Sequence, residues 1–136
     1  MIKPIVKDIF LLKQKSSDAD VHDAYIAKDL SDTLNHHRNE CAGMAANMIG
    51  YTKRIIIVSA GIGNLVMFNP VILQKSGAYE TEEGCLSLSG ARKTVRYRNI
   101  TVKYQDSLMK VHTAKYSGWI AQIIQHECDH LEGILI

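Results

Sequence analysis

The stretch from Trp119 to Leu131 reads WIAQIIQHECDHL. Its apolar side chains recur at the three- and four-residue spacing of one helix face, at Ile120, Ile123, Ile124 and Leu131. This spacing predicts a helix with an apolar stripe that packs against a core. The polar residues fall on the remaining faces, and their spacing indicates a chemical function.

The polar residues of this predicted helix contain the pattern HExxH, with His126, Glu127 and His130. Residues four apart lie one turn apart on the same helix face, so the two histidines can bind one metal ion. Glu127 is close enough to reach a water on that ion as a general base. Two surface histidines on an amphipathic helix are the alternative, but the apolar opposite face favours a metal site.

A third metal ligand is expected upstream of this helix. Metalloproteases with HExxH take their third ligand well downstream of the second histidine, whereas only residues 131–136 follow here. Glu132 is two residues past His130, on the wrong side of a continuing helix. A zinc peptidase of that kind is therefore disfavoured.

The three cysteines are candidates for this ligand: Cys41 and Cys85 lie upstream of the predicted helix, and Cys128 lies within it. Cys128 points about 200° round the helix from His126, so we expect it to pack inward. Cys41 and Cys85 both remain open from the spacing alone. Cys85 is favoured over Cys41 because a polar, turn-like segment surrounds it, although a buried strand residue would fit the same pattern.

The rest of the chain predicts a second helix and several strands. Ala24, Ala27, Leu30 and Leu34 mark one helix face between about residues 20 and 40, with Asp18 or Asp20 as the N-cap. The first segment is predicted to be an extended arm up to the polar break at residues 15–18. Strands are predicted at 54–58, 65–68, 71–73, 94–105 and 110–116, the first two as a hairpin around 61–64.

These elements predict an α+β fold: small antiparallel sheets around a C-terminal metal-binding helix, with an N-terminal helix. The length of 136 residues indicates one domain, residues 1–136. The segment 41–50 is small and apolar and reads as a tightly packed connection.

Composition excludes several classes of function. The net charge of +2 is too small to indicate nucleic-acid recognition, and the basic stretch 92–98 reads as a solvated strand face or the rim of a site. No apolar run approaches the roughly 18–20 residues of a membrane span. Charged residues interrupt the N-terminal segment, which is atypical of a secretion signal. We therefore expect a cytoplasmic protein.

Three segments resemble the motifs of one family. The segment 83–87 reads EGCLS and the segment 126–130 reads HECDH, similar to the motif pair EGCLS and HExDH of the peptide deformylases. Residues 43–46, followed by Ile49 and Gly50, resemble that family's GxGLAAxQIG motif. The three motifs occur in the family's order and extend over most of the chain.

The resemblance implies a reaction and a metal site. Cys85, His126 and His130 would bind one divalent ion, with ferrous iron the usual metal and zinc or nickel able to substitute. Glu127 would take a proton from the attacking water and pass it to the leaving amine. The substrate would be an N-formylmethionyl peptide at the start of a nascent polypeptide, and formate would be released.

The resemblance also implies substrate contacts and partners. The backbone N–H of Leu86 would stabilise the oxyanion, Gly43 would line the peptide channel and Arg92 would contact the substrate backbone. Asp129 would accept a hydrogen bond from a nearby arginine. A transient ribosome contact would need a surface other than the tail used by many bacterial members, since only residues 131–136 follow the helix motif.

The first motif departs from the family at one catalytic position. Met48 stands where the family has a glutamine that donates to the oxyanion, and a thioether cannot donate. Loss of one such donor costs roughly 10²–10³ in turnover. Either Asn47 or a water replaces the donor, or the chain is a weak enzyme, acts on another N-acyl substrate, or serves as a metal-bound interaction module.

Overall fold

The computed structural model describes residues 1–61 and 63–136. Its helices are α1 (Ile9–Leu12), α2 (Ala24–His36) and α3 (Gly118–Leu131), with short 3₁₀ helices at Val21–Asp23 and Ala46–Ile49. Its strands are β1 (Gly43–Ala45), β2 (Ile55–Ser59), β3 (Asn64–Cys85), β4 (Leu88–Gln105) and β5 (Val111–Ser117). This confirms the α+β fold.

The strands form one five-stranded sheet in the order β1-β2-β3-β4-β5, and every neighbouring pair is antiparallel. The predicted hairpin is present, because β2 pairs with β3 from Ile55↔Phe68 to Ser59↔Asn64. Ile62, in the predicted turn, lies outside the described residues. The apolar β2 residues are fully buried, so this strand forms the centre of the core.

The longest strand differs from its prediction. The runs 65–68 and 71–73 were predicted as separate strands, but both belong to β3, which extends over 22 residues to Cys85. Its second half pairs with β4 and is mostly exposed, so it shows no alternation of apolar and polar residues. Backbone pairing with β4, rather than burial of apolar side chains, therefore holds this part of the strand in the sheet.

The N-terminal helix begins as expected and ends early. Asp20 accepts a hydrogen bond from the backbone of His22 and forms a reciprocal capping box with Asp23. The regular helix α2 then ends at His36 instead of continuing to residue 40. The arm also contains a helix that the sequence analysis did not assign, the four-residue α1 capped by Asp8.

Helix α3 packs its apolar stripe on the sheet, with Ala121, Ile124 and Leu131 fully buried. The side chain of Gln125 fixes it further, because it accepts from the backbone nitrogen of Tyr97 and donates to the carbonyl of the same residue, both at 2.8 Å. Within the described residues, no helix combines the length and the apolarity that crossing a membrane would require.

Candidate metal centre

Three predicted ligands meet at one point of the fold. The Sγ atom of Cys85 lies 3.4 Å from Nε2 of His130, and the Nε2 atoms of His126 and His130 lie 3.1 Å apart. All three ligand atoms lie within 4.8 Å of one another. The two histidines are on α3, whereas Cys85 is the last residue of β3.

The spacing of these atoms fits a tetrahedral metal ion. With metal–nitrogen distances near 2.05 Å and a metal–sulfur distance near 2.3 Å, tetrahedral ligands would be about 3.3 Å apart for N···N and about 3.6 Å for N···S. The observed separations are close to both values. One thiolate and two imidazoles suit a divalent transition metal.

Glu83 orients the first histidine. Nδ1 of His126 lies 2.9 Å from Oε1 of Glu83, so its N–H donates to the carboxylate and its Nε2 lone pair faces the other ligands. Burial would raise the pKa of Glu83, but hydrogen bonds from His126, Arg96 and Gln122 outweigh burial and lower the pKa to about 2. The carboxylate therefore stays ionised beside the metal site.

Arg96 links this carboxylate to the metal helix. Its guanidinium donates to both oxygens of Glu83 and, at 2.6 Å, to Oδ2 of Asp129. Only 4% of Arg96 is exposed. The prediction that the basic stretch 92–98 forms a solvated strand face or the rim of a site is therefore wrong for Arg96. The bond to Asp129 matches the arginine contact expected for that residue.

Glu127 has the properties of a general base. It is 4% exposed, and its Oε1 atom has no hydrogen-bond partner among the described residues. Burial raises the pKa of Glu127 to about 7. A carboxylate with a pKa near neutrality can accept a proton and return it during one reaction cycle.

A pocket of about 700 Å³ opens beside the ligands. It brings together six of the predicted site residues, namely Gly43, Met48, Cys85, Leu86, His126 and Glu127. His130 is fully buried beneath it. Trp119 is 65% exposed and forms part of the pocket wall.

Cys41 and Gln122 also line the pocket. Cys41, left open as a ligand, lines the pocket instead of joining the ligand trio. Burial raises the pKa of its thiol to about 11. Gln122 also lines the pocket and donates to Glu83 at 2.9 Å, and no spacing signal in the helix indicates this bond.

Arg92 is not brought to the pocket wall in the part of the chain that the structure describes. Its guanidinium instead donates to the carbonyl of Ser89 at 3.4 Å. Arg92 pairs with Glu83 in the register of β3 and β4, which places its backbone near the site. Its predicted substrate contact stays a prediction.

The positions 47 and 48 show how the missing glutamine is accommodated. Met48 lines the pocket, and its sulfur accepts from the backbone nitrogen of Ala45 at 3.5 Å. Asn47 is fully buried and donates from Nδ2 to the carbonyl of His130 at 2.9 Å. Because its amide is directed to the metal helix, Asn47 does not replace the lost oxyanion donor.

The fold and this centre define a class: α+β hydrolases with a HExxH helix and a cysteine ligand supplied by the sheet. A comparison with family models matches residues 2–136 to polypeptide deformylase. The chain belongs to the peptide deformylase family. It is a metal-dependent amide hydrolase that removes the N-formyl group from nascent polypeptides.

Relatives and solved structures agree with this assignment. The chain is 54% identical to a peptide deformylase of Clostridium beijerinckii over 138 residues, covering 100% of both chains. It is 42% identical to peptide deformylase 1 of Clostridium perfringens, covering 81% of this chain and 76% of that one. The actinonin-bound class I type b peptide deformylase of Acinetobacter baumannii superposes with a TM-score of 0.89 at 31% identity, covering 99% and 95% of the two chains.

Proposed function

We propose that Cys85, His126 and His130 bind the ion with which this chain hydrolyses N-formylmethionyl peptides, and that Glu127 is the general base. The observation that carries the proposal is the convergence of two Nε2 atoms and one Sγ atom beside a buried carboxylate. We propose ferrous iron as the resident metal, with zinc or nickel able to substitute, because this mixed donor set suits all three.

When bound, the ion supplies Lewis-acid activation of water and of the formyl carbonyl. Glu127 accepts the water proton on its carboxylate and returns it to the amine that leaves. Its raised pKa, about 7, suits both transfers near neutral pH. Glu83 and Arg96 hold His126 and α3 in place, so the carboxylate and the ligands keep one geometry.

The pocket beside the ligands is the proposed peptide site. Leu86 follows Cys85 directly, so its backbone N–H can donate to the developing oxyanion. Gly43 lies on β1 at the pocket wall, and we propose that this strand lines the peptide channel. We propose that Arg92 contacts the substrate outside this wall.

The cellular setting follows from the substrate. Nascent chains that still carry formyl-methionine are found in the cytoplasm, next to the ribosome, and we propose that this chain acts there. A transient ribosome contact is part of this proposal. Sedimentation of the chain with ribosomes at low ionic strength tests it.

Met48 supports a second candidate function. With one oxyanion donor replaced by a thioether in the pocket, the chain would be a weak deformylase that acts on another N-acyl group or serves as a metal-bound interaction module. Glu127→Ala separates these two roles, because an interaction module keeps its cellular effect without the base, whereas a hydrolase loses it.

The deciding experiment is anaerobic purification with iron, metal analysis, and assay of the same sample on formyl-Met and acetyl-Met peptides. We expect one ion per chain and turnover of the formyl peptide, with Glu127→Gln as an inactive, metal-bound control. A metal-loaded chain that cleaves neither peptide would contradict the proposed function. Preference for the acetyl peptide would favour the second candidate.

A further inference from the structure

Asn47 occupies a buried position between the sheet and the metal helix. It lies in the 3₁₀ helix that follows β1, and none of its surface is exposed. Its Nδ2 atom donates to the backbone carbonyl of His130 at 2.9 Å, across 83 positions of sequence. The side chain is therefore anchored on a residue proposed to bind the metal.

His130 has one ring nitrogen for the metal and one that needs an acceptor. Its Nε2 atom faces Cys85 and His126, so a neutral ring that offers this lone pair carries its hydrogen on Nδ1. Nδ1 is buried and has no hydrogen-bond partner among the described residues. A buried donor without a hydrogen-bond partner destabilises the folded protein.

The amide oxygen of Asn47 is the complementary group. Oδ1 is also buried and has no hydrogen-bond partner in the part of the chain described. Thus one residue pair, already joined by the Nδ2 bond, carries one spare donor and one spare acceptor. Buried waters bridge pairs of this kind.

We propose that Asn47 is a positioning residue for His130: one buried water accepts from Nδ1–H of His130 and donates to the amide oxygen of Asn47, while Nδ2 of Asn47 donates to the backbone carbonyl of His130. This inference rests on the proposed metal centre. The two ligand histidines then have different supports, a carboxylate from Glu83 for His126 and a neutral carboxamide for His130. Asn47 thereby fixes the His130 ring in the tautomer that the metal needs.

The first test is the zinc affinity of Asn47→Leu, measured by competition with a chromogenic chelator. Leucine keeps the branched shape and the number of heavy atoms of the side chain and removes both hydrogen-bonding groups. Loss of such a support typically weakens metal binding by about 10–100-fold, and we expect a loss in this range. The matched control is Thr33→Val, which removes the hydrogen bonds of another fully buried side chain on α2 and should leave the zinc affinity unchanged.

The second test reads the His130 ring directly by ¹⁵N NMR of the zinc-loaded protein. We expect a slowly exchanging hydrogen on Nδ1 in the unmutated protein and its loss or fast exchange in Asn47→Leu. Asn47→Ser keeps a hydroxyl acceptor, so it should retain the signal and give an affinity between those of the other two proteins. A purely structural role of Asn47 would not move this signal.

The outcomes separate this inference from the metal centre on which it rests. If the unmutated chain binds no zinc, or His130→Ala binds zinc equally well, the proposed ligand set is wrong. If zinc binds through His130 but Asn47→Leu keeps both the affinity and the Nδ1 signal, only the role of Asn47 is wrong. If Asn47→Leu does not fold, fast exchange of the Nδ1 hydrogen in the unmutated protein overturns the inference.

Discussion

Met48 is the residue at which the pocket chemistry departs from the first motif of the family. Its sulfur faces the backbone of Ala45 and offers no hydrogen to a substrate oxygen. Asn47, next to it, is engaged with His130. The backbone N–H of Leu86 is thus the proposed oxyanion donor that remains.

Restoring the amide at this position should raise activity. We expect Met48→Gln to increase kcat/KM on a formyl-Met peptide by at least about tenfold, because one oxyanion donor contributes roughly 10²–10³. The control Met48→Leu keeps an apolar side chain of similar volume and should leave kcat/KM nearly unchanged. Equal rates for the glutamine and leucine variants would show that another group already supplies the donor.

Gly43 is required for the close approach of β1 and α3. A Cβ atom at this position would lie 2.5 Å from Cγ2 of Ile123, 3.1 Å from Oε2 of Glu127 and 3.2 Å from the carbonyl of Ile57. The side chains of Ile123 and Glu127 would have to move away from β1, and the proposed general base would be displaced.

Gly43→Ala should therefore lower kcat by about 100-fold, the typical cost of misplacing a reacting group by about 1 Å. Metal content should be retained, because Glu127 is not a ligand. The control is Gly63→Ala, where an added Cβ would meet nothing within 4 Å. Steady-state kinetics and metal analysis of both variants check the prediction, and a fully active Gly43→Ala would contradict it.

The sequence predicts the three proposed metal ligands better than the residues that hold those ligands in place. The spacing of His126 and His130 is local, so the helix period alone brings them together. The family motif, not the spacing, distinguished Cys85 from Cys41. Arg96 was not identifiable, because the sequence of a strand with several basic residues does not show which one turns inward to meet Glu83.

Three elements meet at the buried guanidinium of Arg96. The residue belongs to β4, its partner Glu83 to β3 and its partner Asp129 to α3. These ion pairs act across elements, so they position the helix that carries both histidines.

Arg96→Met should lower the free energy of unfolding by about 3–5 kcal/mol, because it leaves the buried carboxylate of Glu83 without its counter-charge. Arg98→Met is the control: Arg98 is exposed and its guanidinium lies over the ring of Tyr79, so its loss should cost about 1 kcal/mol or less. Urea unfolding with a chelator present measures both. If Glu83→Gln combined with Arg96→Met is no more stable than Arg96→Met alone, the uncompensated charge is not the cause.

Helices and strands that bury an apolar face were predicted more accurately than exposed ones. The β2 strand and helix α3 were predicted nearly to their ends, because each has a continuous apolar signal against the core. Residues 74–84 of β3 were not predicted, since most of them are exposed and show no alternation of apolar and polar side chains. The four-residue helix α1 is too short to show a period.

For the whole molecule we propose one cooperative domain, residues 1–136. The sheet is continuous from β1 to β5, and α2 and α3 both pack on it. Thermal unfolding followed by circular dichroism and by tryptophan fluorescence should give coincident single transitions. Two separate transitions would contradict the single domain.

Metal removal should lower the stability of this unit as a whole. An ion present at about 1,000 times its Kd stabilises the folded state by about 4 kcal/mol, which corresponds to a Tm change on the order of 10 °C for a chain of this size. We expect this decrease when the zinc-loaded protein is treated with a chelator. The triple variant of Cys85, His126 and His130 to alanine should show no chelator effect, and an equal effect in that variant would place the ion elsewhere.

The position of Cys85 at the end of β3 has a consequence for how metal enters and leaves. Cys85 and His130 are separated by 45 positions, whereas the two histidines share one turn of α3. Helical turns form faster than contacts between distant strands and helices. A folding chain therefore presents the histidine pair first and the thiolate last. In the folded protein, brief opening of the β3–β4 turn would free the cysteine without unwinding the helix, so we expect the dynamics of this turn to set the rate of metal exchange.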